Sequence, residues 1–167
     1  MRIASILAAL ALLAIPSFAA TAAPSAVSLK AQYSAGTIIV RTSERRLYLV
    51  LGPGKALRYP VGVGRAGKQW AGSARIVAKF IKPDWSPPAE VKRDNPRLPD
   101  LIKGGTPGNP MGAAAMVLTG GEYAIHGTNR PNSIGGFVSY GCIRMFNADI
   151  LDLYSRVSVG TPVVVSR

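Results

Sequence analysis

The stretch Thr37-Ile38-Ile39-Val40-Arg41-Thr42-Ser43-Glu44-Arg45-Arg46-Leu47-Tyr48-Leu49-Val50 decides the fold class. Two apolar, β-branched or aromatic runs flank a short polar segment, which is the pattern of two strands joined as a hairpin. Leu57-Arg58-Tyr59-Pro60-Val61 reads as a third strand after the turn Gly52-Pro53-Gly54, and Ala74 to Ile81 as a fourth. Met116-Val117-Leu118 and Tyr123-Ala124-Ile125 are strands separated by Gly120-Gly121, and Thr161 to Val165 is a closing strand. One helix stands out. Asn147 is a good N-cap and Asp149 lies in the first turn, where the helix dipole favours an anion. Ile150, Leu151, Leu153, Tyr154 and Val157 share one face, and Arg156 lies in the last turn. Lys82 to Pro110 carries seven prolines and almost no periodicity, and connections that long are usually lids or binding loops. The expectation is a mainly β domain with one prominent helix near the C-terminus and no internal repeats.

The 167 residues suit one domain plus a leader. An apolar fraction of 48% and a charged fraction of 17% are too apolar for a disordered chain. Met1-Arg2, the apolar run Ile3 to Ile15, Pro16 and the small residues Ser17 to Ala23 follow the order of a secretory signal peptide. Ala20-Thr21-Ala22 offers a cleavage site after Ala22, with Ala19 as the alternative. No Cys is near for lipidation, and no other run approaches a membrane span. The expected layout is a signal peptide over 1–22, a small and polar linker over 23–36, and a folded domain over 37–167. The net charge of +12 is scattered along the chain. Behind a signal peptide it suits solubility and loose affinity for an anionic wall, not nucleic acid. The expected location is outside the cytoplasm.

One Cys and one His exclude a structural zinc cage and an intramolecular disulfide framework. No metal and no cofactor are expected. Gly62-Val63-Gly64-Arg65-Ala66-Gly67 matches G-x-G-x-x-G, yet Lys68-Gln69-Trp70-Ala71-Gly72 is not the helix start that a dinucleotide site needs. Turn glycines are the better account. No S-x-x-K motif exists, and Ser139 is not in G-x-S-x-G.

What remains is the loop Ile125-His126-Gly127-Thr128-Asn129 … Ser139-Tyr140-Gly141-Cys142-Ile143-Arg144-Met145. His126 ends a strand, and Cys142 follows sixteen positions later across a glycine-rich loop that can bring imidazole and thiol together. A neighbouring His that holds the thiol proton leaves a thiolate–imidazolium pair and lowers the apparent Cys pKa. Arg144 adds positive potential. Gly141 lets a backbone N–H approach a developing oxyanion, in concert with the Cys142 N–H. A lone Cys is commonly a small buried hydrophobe and a lone His a hydrogen-bonder. Their joint placement, in a chain read as exported, favours chemistry.

The stretch H-G-T-N … S-Y-G-C-I-R-M resembles the signature of the L,D-transpeptidase catalytic domain, the YkuD family with its ErfK/YbiS/YcfS/YnhG group. The resemblance runs from Thr37 to Val165. It includes Trp85-Ser86-Pro87-Pro88, Asn95-Pro96, Leu98-Pro99, Asn109-Pro110-Met111-Gly112 and Val159-Gly160-Thr161-Pro162-Val163. It implies a YkuD-like β-sandwich or mixed-sheet domain. It also implies acyl transfer on peptidoglycan stem peptides of the meso-diaminopimelate type: Cys142 attacks, D-Ala leaves with a proton from His126, and an amine resolves the thioester. The products would be 3→3 cross-links or a protein, such as an outer-membrane protein, joined to the wall. The family's third element is the backbone carbonyl of Gly127, which would orient the imidazole, so no acidic triad member is required. Asp149 and Asp152 are then helix cap and surface charge. Arg144 matches the family's arginine and suits a substrate carboxylate, a structural salt bridge being its other reading.

Ser139, Tyr140, Asn129, Arg130, Tyr123 and Trp85 are the candidates for the cleft lining; for Trp85 a core role is the alternative. Tyr140 stands where the family commonly has His. A phenol keeps a donor and an aromatic face but carries no proton near neutral pH. Trp70-Ala71-Gly72-Ser73 replaces the Thr-Pro-Thr-Gly run of many members. Two rivals remain: an L,D-carboxypeptidase or endopeptidase with water as acceptor, and a non-catalytic wall- or polyanion-binding protein.

Overall fold

The structure is a computed structural model that describes residues 24–30 and 32–167. The expected leader lies outside the described residues. The elements in chain order are β1 (Ser25–Ser28), β2 (Ile38–Arg41), β3 (Arg46–Gly52), β4 (Lys55–Pro60), β5 (Val63–Gly64), β6 (Gly72–Ile81), α1 (Ala89–Asp94), β7 (Ala114–Leu118), β8 (Ala124–His126), β9 (Phe137–Ser139), β10 (Ile143–Arg144), α2 (Asn147–Arg156) and β11 (Pro162–Ser166). A 3₁₀ turn spans Pro131–Ser133.

Nine strands form one mixed sheet in the order β1-β4-β3-β2-β11-β6-β7-β8-β10, and β5 pairs with β9 apart from it. The hairpin expected from Thr37 to Val50 is β2–β3, with Ile38 opposite Leu49 and Val40 opposite Leu47. Its turn needs a left-handed residue, and Arg45 adopts φ 53° there. β11 is inserted between β2, to which it runs parallel, and β6, to which it runs antiparallel. Its Val163 and Val165 are buried, as expected of an apolar run inside a sheet.

The register of β6 shifts between Ile76 and Ala78, a bulge that marks the passage from one half of the sheet to the other. The core lies between these halves and α2. Ile38, Val40, Leu47 and Tyr59 from one half meet Ile76, Met116, Leu118 and Ile125 from the other, with Ile150 and Leu153 of α2. Burying each such aliphatic side chain is worth about 2 kcal/mol. Leu29, Ile39, Tyr48, Val50 and Ala56 form a smaller cluster.

Three expectations need correction. The segment read as a linker contains β1, which pairs antiparallel with β4. The proline-rich segment holds the short helix α1; none of its residues is buried, so no apolar periodicity announced it. Finally, Asn147 is not the N-cap of α2. Phe146 occupies that position, and Asn147 is the first helical residue with its side chain engaged elsewhere.

Candidate active site

The site is laid out by strand register. Phe80 of β6 lies opposite Ala115 of β7, Ala115 opposite His126 of β8, and His126 beside Arg144 of β10. Opposite residues in a ladder share a sheet face, so these four form one row. Met116, one position on, belongs to the core on the other face. Cys142 precedes Arg144 by two positions and so returns to the row's face, beside Ala124. The parallel β8–β10 pairing thus carries the chain's one His and one Cys to the same face. Met145 N–H donates to the His126 carbonyl at 2.8 Å and completes this pairing.

His126 is 4% exposed. Its Nδ1 lies 2.7 Å from the Gly127 carbonyl oxygen. A carbonyl only accepts, so Nδ1 carries the proton and Nε2 is left as the basic nitrogen. Burial, with the Arg144 charge beside it, lowers the imidazole pKa to about 4, against the pull of the Gly127 and Pro110 carbonyls. The Cys142 thiol is pushed up by burial, although Arg144 and the Ala124 backbone act in the other direction. Burial thus favours the neutral form of each group and works against a resting thiolate–imidazolium pair.

The loop before Cys142 is braced from within. The Ser139 hydroxyl donates to the Cys142 carbonyl at 2.6 Å and accepts the Gly141 N–H at 3.1 Å. Ser139, a candidate for the cleft lining, is 1% exposed and braces the loop from within. The Gly141 N–H, expected to face an oxyanion, is taken by that hydroxyl. Gly141 itself needs its freedom: φ is +124°, and a Cβ would overlap the Tyr123 ring. Tyr123 stacks on Trp70 with ring centroids 5.0 Å apart, and the Trp70 Nε1–H donates to the Gly141 carbonyl at 3.0 Å. Trp70 was missed in the sequence; its signal was a lone aromatic in a glycine-rich loop with no periodic partner.

Arg144 is fixed by its backbone, which exchanges two hydrogen bonds with Gly62 at 2.8 and 2.9 Å. Its Nε is buried without a partner, and no carboxylate pairs with its guanidinium among the described residues. The structural salt bridge considered for Arg144 is therefore absent. Burial lowers the Arg144 pKa, and the nearby Arg130 charge adds to it, so positive charge converges at this edge.

The Tyr140 side chain is engaged by α1 and Arg65. Its hydroxyl donates to Asp94 of α1 at 2.6 Å, Arg65 lies 4.0 Å over its ring, and Arg65 pairs with the same carboxylate at 2.9 Å. A Lys68–Glu90 pair joins the same two segments. Tyr140 thus fastens the proline-rich flap to the catalytic loop. Asn129 donates to the Pro107 carbonyl at 3.2 Å and lines a cavity of about 460 Å³ that includes neither Cys142 nor His126. Trp85 forms a backbone bridge with Ile102 inside the flap, half-buried there. Asp149, expected as a helix cap, is 2% exposed with one oxygen unpartnered, and burial raises it to about 6. Asp152 accepts from the Tyr59 hydroxyl and Arg156. No cluster of three metal-ligating side chains occurs among the described residues. Gly62 and Gly64 lie in a bridge and a strand, not at a helix start. A Cβ at either would overlap backbone atoms, which accounts for the glycine run without a nucleotide.

The family profile of the YkuD L,D-transpeptidase catalytic domain matches residues 35–165. The chain belongs to this L,D-transpeptidase family. The Escherichia coli K12 protein "Probable L,D-transpeptidase YbiS" is 38% identical over 135 residues, 75% of this chain and 43% of that protein. The chain thus spans less than half the length of this curated relative. An L,D-transpeptidase structure from Mycobacterium smegmatis superposes with a TM-score of 0.62 at 19% identity, covering 78% of this chain and 58% of that one, and so shares the YkuD fold. A Brucella melitensis structure titled "Probable carnitine operon oxidoreductase" is 40% identical with a TM-score of 0.58, covering 90% of this chain and 97% of that one.

Proposed function

We propose that this domain is an exported cysteine L,D-transpeptidase acting on peptidoglycan tetrapeptide stems. The observation that carries the reading is the 2.7 Å bond from His126 Nδ1–H to the Gly127 carbonyl, which leaves Nε2 basic on the face that holds Cys142. Family membership supports the same chemistry. The signal-peptide pattern over 1–22 supports export to the periplasm, with the linker over 23–36 and the catalytic domain over 37–167 making up the mature chain.

Burial favours the neutral thiol and imidazole, which supports proton transfer in concert with attack. Cys142 Sγ bonds to the carbonyl carbon between the L-centre of meso-diaminopimelate and the terminal D-Ala as its proton passes to His126 Nε2. The Cys142 N–H faces the developing oxyanion, and the Gly141 N–H joins it if substrate displaces the Ser139 hydroxyl. The C–N bond breaks, and D-Ala leaves as an amine that carries the His126 proton. An acceptor amine then attacks the thioester carbonyl, gives its proton to Nε2, and expels the Cys142 thiolate, which regains a proton from the ring. The new bond is a 3→3 cross-link, or a link to a protein. The unpaired Arg144 guanidinium, with Arg130 beside it, receives a stem carboxylate.

The test is purified protein with a disaccharide-tetrapeptide, followed by mass spectrometry. A dimer lacking one D-Ala is expected, and none with Cys142→Ala. Tripeptide alone would assign water as the acceptor. No product from the wild type, or full activity in Cys142→Ala, overturns the mechanism.

A further inference from the structure

The side chain freed by the displaced helix start is the point of departure. Asn147 Oδ1 accepts two backbone N–H groups, from Ala113 and from Thr128, each at 3.0 Å. Ala113 leads into β7, and Thr128 follows β8. The amide oxygen therefore continues the sheet where the strands have ended, in the place a backbone carbonyl would occupy. Two glycines are shaped around it. A Cβ on Gly112 or on Gly127 would overlap Asn147 Oδ1, and Gly112 also sits at φ +66°.

The Thr128 N–H belongs to the same peptide unit as the Gly127 carbonyl. In a planar trans peptide the N–H and the C=O point in opposite directions. All peptide bonds described here are trans. Fixing the N–H on Asn147 therefore fixes where the carbonyl aims, and it aims at His126 Nδ1. The Gly127 N–H, one peptide earlier, is held by the Ala114 carbonyl at 3.0 Å, so the glycine is anchored on both sides.

We infer that Asn147 is a positioning residue for catalysis, setting the tautomer and orientation of His126 through the Gly127–Thr128 peptide plane. Its polar contacts go to the Ala113 and Thr128 N–H groups and not to Cys142. It acts on the imidazole as an outer partner acts on a ligating histidine, where loss of the partner typically costs about 10- to 100-fold in activity. The inference rests on the proposed transpeptidase reading for its kinetic consequence, but not for its structural one.

The chain has a single His, so in untagged protein one set of imidazole resonances reports the effect without any substrate. In the wild type, ¹⁵N-resolved spectra at pH 7 show a neutral ring protonated at Nδ1, with that proton protected from exchange. Asn147→Leu removes the acceptor at similar volume. The tautomer populations become mixed, the Nδ1 proton exchanges rapidly, and kcat falls about 10- to 100-fold with KM within about two-fold. Asn147→Asp keeps an acceptor oxygen and restores both readouts. Asn147→Ala replaces the Leu variant if the latter does not fold by circular dichroism. Two results overturn the inference: an unchanged Nδ1–H signal in the folded Leu or Ala variant, whatever its kcat, or an Asp variant as impaired as Leu. Absence of any product from the wild type would sink the transpeptidase reading while leaving the spectra to decide the role of Asn147.

Discussion

The floor of the site and the flap over it are held by different forces. On the floor, His126, Gly127, Gly141 and Cys142 are fixed by backbone ladders and by the buried Ser139 hydroxyl, with the exposed Asn147 amide at the edge. The flap from Lys82 to Pro110 is fastened by charged side chains at the surface: Arg65 and Tyr140 on Asp94, Lys68 on Glu90, Lys103 on Asp84. Its one buried polar anchor is Asn109 at its base, whose amide donates to the Pro83 and Ile102 carbonyls. Dry hydrogen bonds resist salt, whereas exposed ion pairs are screened by it. The candidate groups thus rest on salt-resistant contacts, whereas the flap is held by contacts that salt weakens.

The strongest way to break this contrast is Gly141→Ala. The left-handed backbone and the Tyr123 ring both oppose a methyl there. A loss of about 3–5 kcal/mol is expected in urea unfolding, with activity gone. A mild effect would mean that the floor adapts. Acidification probes the same region. Between pH 6.5 and 4 the unfolded chain binds a proton at its imidazole that the folded chain refuses, so stability is full above 6.5 and falls as pH drops, by about 3 kcal/mol in all. Asp149 works in the opposite sense. Raised to about 6, it takes up its proton in the folded state first and regains stability on acidification over an overlapping range. The wild-type profile is therefore flattened, and Asp149→Asn uncovers the descent. Unfolding midpoints at pH 7, 5.5 and 4 check this; an equally flat variant contradicts a buried neutral His126. The flap carboxyls Asp84, Asp94 and Asp100 are held below their usual range by lysine, arginine and tyrosine partners, so their contribution is lost only at lower pH.

Ser139→Ala removes two hydrogen bonds and leaves the Cys142 carbonyl without that donor, at a cost of about 1–3 kcal/mol. Its kcat separates the two uses of the Gly141 N–H: a small loss favours release of this donor to the oxyanion, a large one favours bracing. The smallest effect belongs to the flap. Asp94→Asn weakens its fastening, raises KM about two- to five-fold and leaves kcat unchanged. In the wild type KM rises with added salt, and in the variant this dependence is blunted. A salt-independent wild type would place the flap with the floor.

What was legible in the sequence follows the same division. Long alternating runs such as Thr37–Val50 and the apolar Thr161–Val165 announce their strands because periodicity survives over many residues. β5, β9 and β10 are two or three residues long and carry no period, although β10 is what joins His126 to Cys142. The pair itself was legible because each residue type occurs once. Its protonation state was not, since burial of both groups emerges only from packing. Tyr140 and Asp94 meet across 46 positions, a distance over which no local pattern speaks. Asn147 was read as a cap because its chemistry suits one; which N–H groups its oxygen finds depends on two loops far away in the chain.

One feature of the sheet bears on how the molecule comes into being. β11 sits between β2 and β6, so the hydrogen-bond ladders of the two halves of the sheet are joined through this late strand. A chain emerging from the ribosome forms its early hairpins at once, but it lacks the strand that unites them until Pro162–Ser166 is available. Such non-local pairing is slow. The sheet of the nascent domain therefore stays open until Pro162–Ser166 has been made.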